Sequence, residues 1–447
     1  MRIIGIPADE FYRERISKER ARPMAEKILP RMMASLTQPI TDAEQKPKPI
    51  ADVTDTIKFT AADMVIAIED FNRKFLENRW SDGLPLMPPT PERVKWMLGG
   101  ANRAPDEAIG VIAPRNGKAT IEKIAINAVM AGALPEHLPV IIAAVEGLAD
   151  PSFDGLHFAT STGSFNLVIA VSGPVVDKIG MNSGLGMFSY GNRANSAIGR
   201  AVRLCVINFG HTWPAANDMA LLGRPSQHTF LTFAENQALS PWPSYRISQG
   251  FAEKDSTVTL TVTGGYASGV SSNIYGGGAV ALVPPEAILD QVARDISRGR
   301  GGVSARNATG VLLEGNENTV RSSYRKFFLI LNPEVAQELD SRLGYTREGL
   351  QKKLFEMASI PYEDMSEQNI AAIQAAIDTG YIPKEHHGYV KQQLQPGGKV
   401  PMMSRPEDVH IIVAGGIPGY TMMMSYFLDG VYKPVAHITK KISDTAD

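Results

Sequence analysis

The chain has 447 residues, 44% of them hydrophobic and 21% charged, with a formal net charge of −2. That balance fits a soluble globular protein of two or three domains and argues against broad attraction to nucleic acid or anionic membranes. The single cysteine, Cys205, excludes an intramolecular disulfide, a cysteine-rich zinc site and a four-cysteine iron–sulfur cluster.

The opening "MRIIGIPADEFYRERISKERARPM" carries too many charges for a secretory leader, and no apolar run is long enough to span a bilayer. A cytoplasmic protein without membrane contact is expected. Residues 1–60 read as an arm: a charged helical pattern over 13–27, then the polar linker "TDAEQKPKPIAD". Such an arm suits wrapping a neighbouring subunit, so a homo-oligomer is expected. Residues 60–80 show helical spacing, with Met64, Ile66, Ile68, Phe71 and Phe75 as core candidates. In "WSDGLPLMPPTPERV", Asp82-Gly83 signals a turn and Thr90-Pro91-Glu92 a helix start. Two apolar helices follow over 119–130 and 138–148.

From about residue 166 a unit recurs, an apolar strand, a proline turn and an amphipathic helix. It appears in "NLVIAVSGPVVDKIGM", "AVALVPPEAILDQVARD" and "KFFLILNPEVAQELDSRL", and more loosely in "VHIIVAGGIPGYTMMM". This predicts an α/β fold, layered sheets of strand–proline turn–helix units with an N-terminal helical arm. "STVTLTVTGG" alternates as a half-exposed strand should. The division expected is 1–60 for the arm, 61–255 for a helical and α/β domain, 256–399 for a second α/β domain, and 400–447 for a short segment adding a strand and helix.

The segment "SYGNRANSAIGRAVRL" places three arginines on an otherwise apolar helix. Asn192 or Asn195 suits its N-cap. Arg193, Arg200 and Arg203 fall near one stripe, with Ala197, Ile198, Ala201, Val202 and Cys205 on the rest. The preceding "GMNSGLGMFSYGN" lets backbone amides approach a ligand, and guanidinium forks suit carboxylate or phosphate. The stripe equally suits pairing with carboxylates of this chain or of a neighbour. Polar residues elsewhere could complete a pocket: His157, Ser161 and Thr162 in "HFATSTGSFN", His211 and Trp213 in "NFGHTWPAAND", and His228, Glu235, Asn236 and Trp242 further on. A lone histidine is more often structural than catalytic. Asp177 reads as a solvated helix charge, Cys205 as core, and His386-His387 as an exposed loop. No Walker A loop, dinucleotide fingerprint, GxSxG, HExxH or HxH occurs, so no organic cofactor is signalled and a metal would need ligands gathered by the fold.

Several segments together, "SDGLPLMPPTPERV", "ATIEKIAINAVMAGALPEHLPVIIAAVEGL", "GNRANSAIGRAVRL", "FAENQALSPW" and "PEDVHIIVAGG", resemble poorly characterised bacterial proteins associated with the UGSC (selenocysteine-Gly-Ser-Cys) group. The resemblance covers roughly residues 60–435. It implies thiol or selenol redox chemistry, yet this chain has neither selenocysteine, Gly-Ser-Cys nor a second thiol to resolve Cys205. Asn192, Arg193, Asn195, Arg200, Glu235 and Asn236 lie in the matching segments.

The leading expectation is an enzyme, a lyase, hydrolase or isomerase, acting on a small anionic metabolite by acid–base chemistry. Arg193 and Arg200 would hold the anion, and Glu235, His228 or His157 would move protons. Asn192, Asn195, Ser161, Thr162 and Asn236 would orient the substrate. Two alternatives stand beside it: a metal-dependent enzyme with His157, His211, His228 and Glu235 as ligands, and a non-catalytic subunit whose arm and arginine helix build an oligomer.

Overall fold

The computed structural model describes residues 18–41, 56–224, 226, 228–264, 268–270, 285–298, 325–380, 384, 387–401, 405–417, 422–428, 435 and 437–443. The chain divides into two units, Met1–Lys58 and Phe59–Asp447. In the first, α1 (Lys18–Thr37) holds Leu29, Met32, Met33 and Leu36 at three- and four-residue spacing, and all four are exposed.

The second unit begins with α2 (Met64–Glu77), started by Asp63, whose carboxylate accepts the Ile66 amide proton. Of the five core positions expected here, Phe71 is buried and Phe75 packs against it, whereas Met64, Ile66 and Ile68 are exposed. The ring cluster of Phe59, Phe71, Phe75 and Trp80 draws the helix inward, and Asn72 accepts the amide of buried Leu86. Helix α3 (Pro91–Leu98) starts where expected, capped by the Thr90 hydroxyl with proline in its first turn. A hairpin, β1 (Ala108–Ile112) and β2 (Gly117–Thr120), leads into α4 (Ile121–Met130) and α5 (Leu138–Ala149), close to the two apolar helices expected. The short α6 (Gly155–Thr160) precedes β3 (Asn166–Ser172), and then come α7 (Val175–Lys178), α8 (Arg193–Gly210), β4 (Leu231–Ala234), α9 (Tyr245–Ser248), β5 (Thr257–Thr263) and β6 (Ser268–Val270).

Next are α10 (Pro285–Arg298), β7 (Arg325–Leu331), α11 (Pro333–Leu343), α12 (Arg347–Met357), β8 (Ser359–Pro361), α13 (Glu367–Asp378), α14 (His387–Gln393) and β9 (Lys399–Pro401). The chain closes with β10 (Val409–Val413), β11 (Met422–Leu428) and β12 (His437–Lys441). The expected strand in "AVALV" and the residue His386 lie outside the described residues; His387 opens α14 rather than sitting in a loop. The segment from 400 contributes three strands among its described residues, not one strand and a helix. β10 and β11 enter one sheet and β12 the other.

Those sheets are two copies of one design. The first runs β12-β5-β3-β4 and the second β6-β11-β7-β10. In each, the central strand pairs in parallel with an edge strand (β3 with β4, β7 with β10) and antiparallel with the strand on its other side (β5, β11). The outermost strands are exchanged: β6 follows β5 but joins the second sheet, and β12 follows β11 but joins the first. The strand–proline pattern in the sequence marks this internal symmetry, since β3 before Pro174 and β7 before Pro333 occupy equivalent places.

The fold is α/β and layered. One face of the first sheet (Leu167, Ile169, Val171, Val258, Leu260, Val262) shares a buried core with α4, α5 and α8. One face of the second (Phe327, Leu329, Leu331, Val409, Ile411, Val413) shares another with α10, α11 and α12. The remaining faces meet each other, with Phe233 against Phe328 and Phe328 against His437. This corrects the reading of β5, which is buried on both faces. Its threonine row meets the second sheet rather than water. The polar row is satisfied within its own sheet: the Thr259 hydroxyl meets that of Thr439 on β12 at 3.0 Å, and Thr261 meets His437 on β12 at 2.8 Å.

Candidate functional site

Helix α8 crosses the first sheet from the loops beyond β3 to the turn entering β4. A Cβ at Gly199 would lie 1.8 Å from the Thr229 carbonyl oxygen, so glycine is what lets helix and strand approach this closely. Asn192 occupies the N-cap position without a capping side-chain bond. Cys205 is fully buried, as expected, and burial pushes its thiol well above the ordinary range, where it stays protonated and inert.

The three arginines of this helix are used differently. Arg193 is exposed and donates from Nε and Nη2 to the Gly132 carbonyl at 3.2 and 3.1 Å. Arg200 forks Asp82, Nε to Oδ2 at 2.8 Å and Nη2 to Oδ1 at 2.9 Å, and also donates to the carbonyls of Leu84 and Pro85. Burial works against ionisation of Asp82. The bonds and charge of Arg200, the Leu84 amide and nearby His228 outweigh it and hold the carboxyl below its usual value. Arg203 keeps 7% exposure and stacks on the face of Phe230, its guanidinium carbon 3.7 Å from the ring centre. Its Nε and Nη2 are buried with no acceptor among the described residues. That is the same edge with which Arg200 grips its carboxylate. Burial and the charge of Arg224 push Arg203 down to about 9, against the pull of Asp218 and Asp82, and it remains a cation at neutral pH.

Around Arg203 the guanidiniums outnumber the carboxylates that fork them. Arg224, itself buried, forks Asp218 at 2.8 and 2.7 Å and donates to the Phe165 carbonyl. Three guanidiniums therefore stand against two forking carboxylates, and Arg203 is the one without a fork. His157 lies 3.9 Å from buried Asp154 and packs its ring on Phe165. Burial and the Arg224 charge lower its pKa despite Asp154, so it is neutral and able to accept a proton at pH 7. His228 sits 3.5 Å from Asp82. The Ser161 hydroxyl accepts the Gly163 amide and the Thr162 carbonyl accepts that of Leu221, tying the two loops together. His211 ends α8 in the left-handed region and is exposed. Four of the six non-glycine residues with positive φ among those described, His211, Ala215, Ser226 and Phe230, fall in this one stretch. Such conformations cost about 1 kcal/mol or more apiece and persist where surrounding contacts over-determine the backbone.

Glu235, Asn192, Asn195 and Asn236 are not part of this cluster. Glu235 follows the far end of β4, five residues and roughly 16 Å from Phe230 at about 3.3 Å per strand residue. Its carboxylate is 1% exposed and accepts the hydroxyls of Ser172 and Ser244 at 2.7 and 2.5 Å and the Tyr245 amide at 2.7 Å, with Arg347 3.8 Å away. The asparagines staple loops. Asn195 exchanges bonds with the backbone of Asn182, Asn192 bonds to Asn182, Gly186 and Ser189, and Asn236 ties β4 to Val413 and Gly415. The structure thus brings together Arg200, His157, Ser161, Thr162 and His228, and holds the other four at the opposite edge.

Arg203 and Arg224 were absent from the sequence-level site. Arg203 was visible on the stripe, but nothing local marked it as the arginine lacking a carboxylate. Among the described residues no three His, Cys, Asp or Glu side chains are placed to hold a metal ion, and Glu235 lies apart from the histidines named as possible ligands. No helix among them is long and apolar enough to cross a membrane. No protein-family model, curated protein or solved structure matches the chain.

Proposed function

We propose that the chain is an enzyme that binds a small carboxylate or phosphate at Arg203 and acts on it by acid–base chemistry, with His157 and His228 as the proton-moving groups. One observation carries this reading: a buried guanidinium presents its forking edge to no acceptor among the described residues while its two neighbours on the same cluster are forked. A buried unpaired cation is costly, and an anion meeting two parallel N–H groups would offset that cost. Arg203 replaces Arg193 and Arg200 as the anion-holding residue, because those two already bond within the chain. Neutral His157 could take a proton from the bound molecule, and His228, beside Asp82, could return one. A lyase, hydrolase or isomerase fits these groups.

The test is thermal denaturation of wild type, Arg203→Met and Arg193→Met in acetate, malonate or inorganic phosphate at fixed ionic strength. At a hundredfold excess over Kd a bound anion stabilises by about 2.7 kcal/mol. The rise in Tm should saturate in wild type, vanish in Arg203→Met and persist in Arg193→Met. No saturable rise with any of the three, or an equal rise in Arg203→Met, would sink the reading.

A further inference from the structure

The seam between the sheets holds a second group of titratable side chains that the anion site does not use. Tyr245, at the start of α9 and 2% exposed, sends its hydroxyl between two imidazoles. It lies 2.7 Å from Nδ1 of His410 on β10 and 2.9 Å from Nε2 of His437 on β12. The rings stack with centroids 4.0 Å apart and 31° between planes. Nδ1 of His437 continues the chain to the Thr261 hydroxyl on β5 at 2.8 Å. Lys326 and Arg405 lie near enough to oppose protonation of His410, and Lys326 that of His437, while Asp408 pairs with both cations. Burial above all lowers both rings, followed for His410 by its neighbour His437 and then by these cations, and His437 falls to about 3. A phenol hydroxyl can donate one hydrogen bond and accept another. This one has two partners, both able to donate or accept.

We infer that Tyr245, His410 and His437 form a second acid–base centre, a proton relay bridging the two sheets, in which the imidazoles must carry the same tautomer. The phenol has one proton, so it donates to one ring and accepts from the other. If it donates to His437 Nε2, that ring carries its proton on Nδ1, facing Thr261. The phenol oxygen then accepts from His410 Nδ1–H, and both rings are Nδ1–H. If it donates to His410 Nδ1, then His437 donates from Nε2, accepts the Thr261 proton at Nδ1, and both rings are Nε2–H.

Passing from the second setting to the first, His410 gives up its Nε2 proton and receives the phenol proton at Nδ1. Tyr245 takes the Nε2 proton of His437, His437 Nδ1 takes the Thr261 hydroxyl proton, Thr261 is reprotonated by water, and water accepts the proton released at His410 Nε2. One proton enters, one leaves, and the relay carries no net charge in either setting.

The ring-nitrogen shifts of histidine-labelled full-length protein at pH 7 test this, with signals assigned from His410→Gln and His437→Gln. Concordant tautomers are expected in wild type. In Thr261→Val a bare N–H facing valine costs more than a bare lone pair, so His437 should sit at Nε2–H, and His410 should be there too although it does not touch residue 261. Tyr245→Phe should abolish that transmitted response. Opposite tautomers in wild type, an imidazolium at either position, or His410 at Nδ1–H in Thr261→Val would overturn the relay. The wild-type spectrum alone can overturn the relay even where a variant fails to fold.

Discussion

Replacing Arg200 and Arg203 separately by methionine should produce opposite results, although they lie three residues apart on one helix. Asp82 keeps 3% of its side-chain surface and owes its ionised state chiefly to Arg200. Arg200→Met strands that carboxylate in the interior, and breaking a buried pair from one side costs about 3–5 kcal/mol. Arg203→Met instead removes two buried N–H donors that lack acceptors, each a penalty of about 1–3 kcal/mol in the native state. What is lost is the contact with Phe230, about 1–2 kcal/mol for a desolvated cation over a ring, partly restored by the methionine thioether. The balance is near zero or favourable. For a unit spanning Phe59–Asp447, 1 kcal/mol moves Tm by about 1.2 °C. Scanning fluorimetry in a buffer of weakly binding ions should therefore put Arg200→Met about 4–6 °C below wild type and Arg203→Met at or above it. A loss in Arg203→Met as large as in Arg200→Met would mean that Arg203 is a structural arginine with a native partner, and the anion site would fall with it.

Stability should also decline in mild acid. Burial lowers His137 from 6.5 to about 4, so as pH falls below 6.5 the unfolded chain binds a proton that the native state refuses. Native stability falls through that window, by up to about 1.4 kcal/mol per pH unit from this group. Asp82 adds its share later, because a depressed carboxyl contributes fully above its ordinary value and loses the contribution as pH drops through the folded one. Urea midpoints at pH 7, 6 and 5 should decrease in wild type and decrease less in His137→Asn; a flat wild-type profile contradicts the assignment. Gly199→Ala should destabilise by about 1–3 kcal/mol or more, because the new methyl meets the Thr229 carbonyl and the Thr232 hydroxyl, and a urea midpoint equal to wild type would show that α8 can lift from β4 freely.

The α/β layering, the starts of α3, α4 and α5 and the burial of Cys205 could all be read from hydrophobic period and capping chemistry, which act over a few residues. The arginine stripe was legible in the same way. Which of its members is unpaired was not, because the carboxylate that grips Arg200 comes from a turn 118 residues earlier, and Arg224 takes Asp218 from a loop with no periodic signal. The polar row of β5 shows the same limit. Alternation identifies a strand with two unlike faces but cannot say whether water or a second sheet lies against the polar one. Likewise Glu235 and the asparagines look as ready for chemistry in sequence as His157 does. The length of β4 sets Glu235 roughly 16 Å from Phe230 and local donors surround its carboxylate, while the asparagines spend their amides on loop backbone. Local pattern determines what each segment becomes; only the tertiary structure decides which charges meet, because ion pairs and relays form through space between residues that the chain order keeps apart.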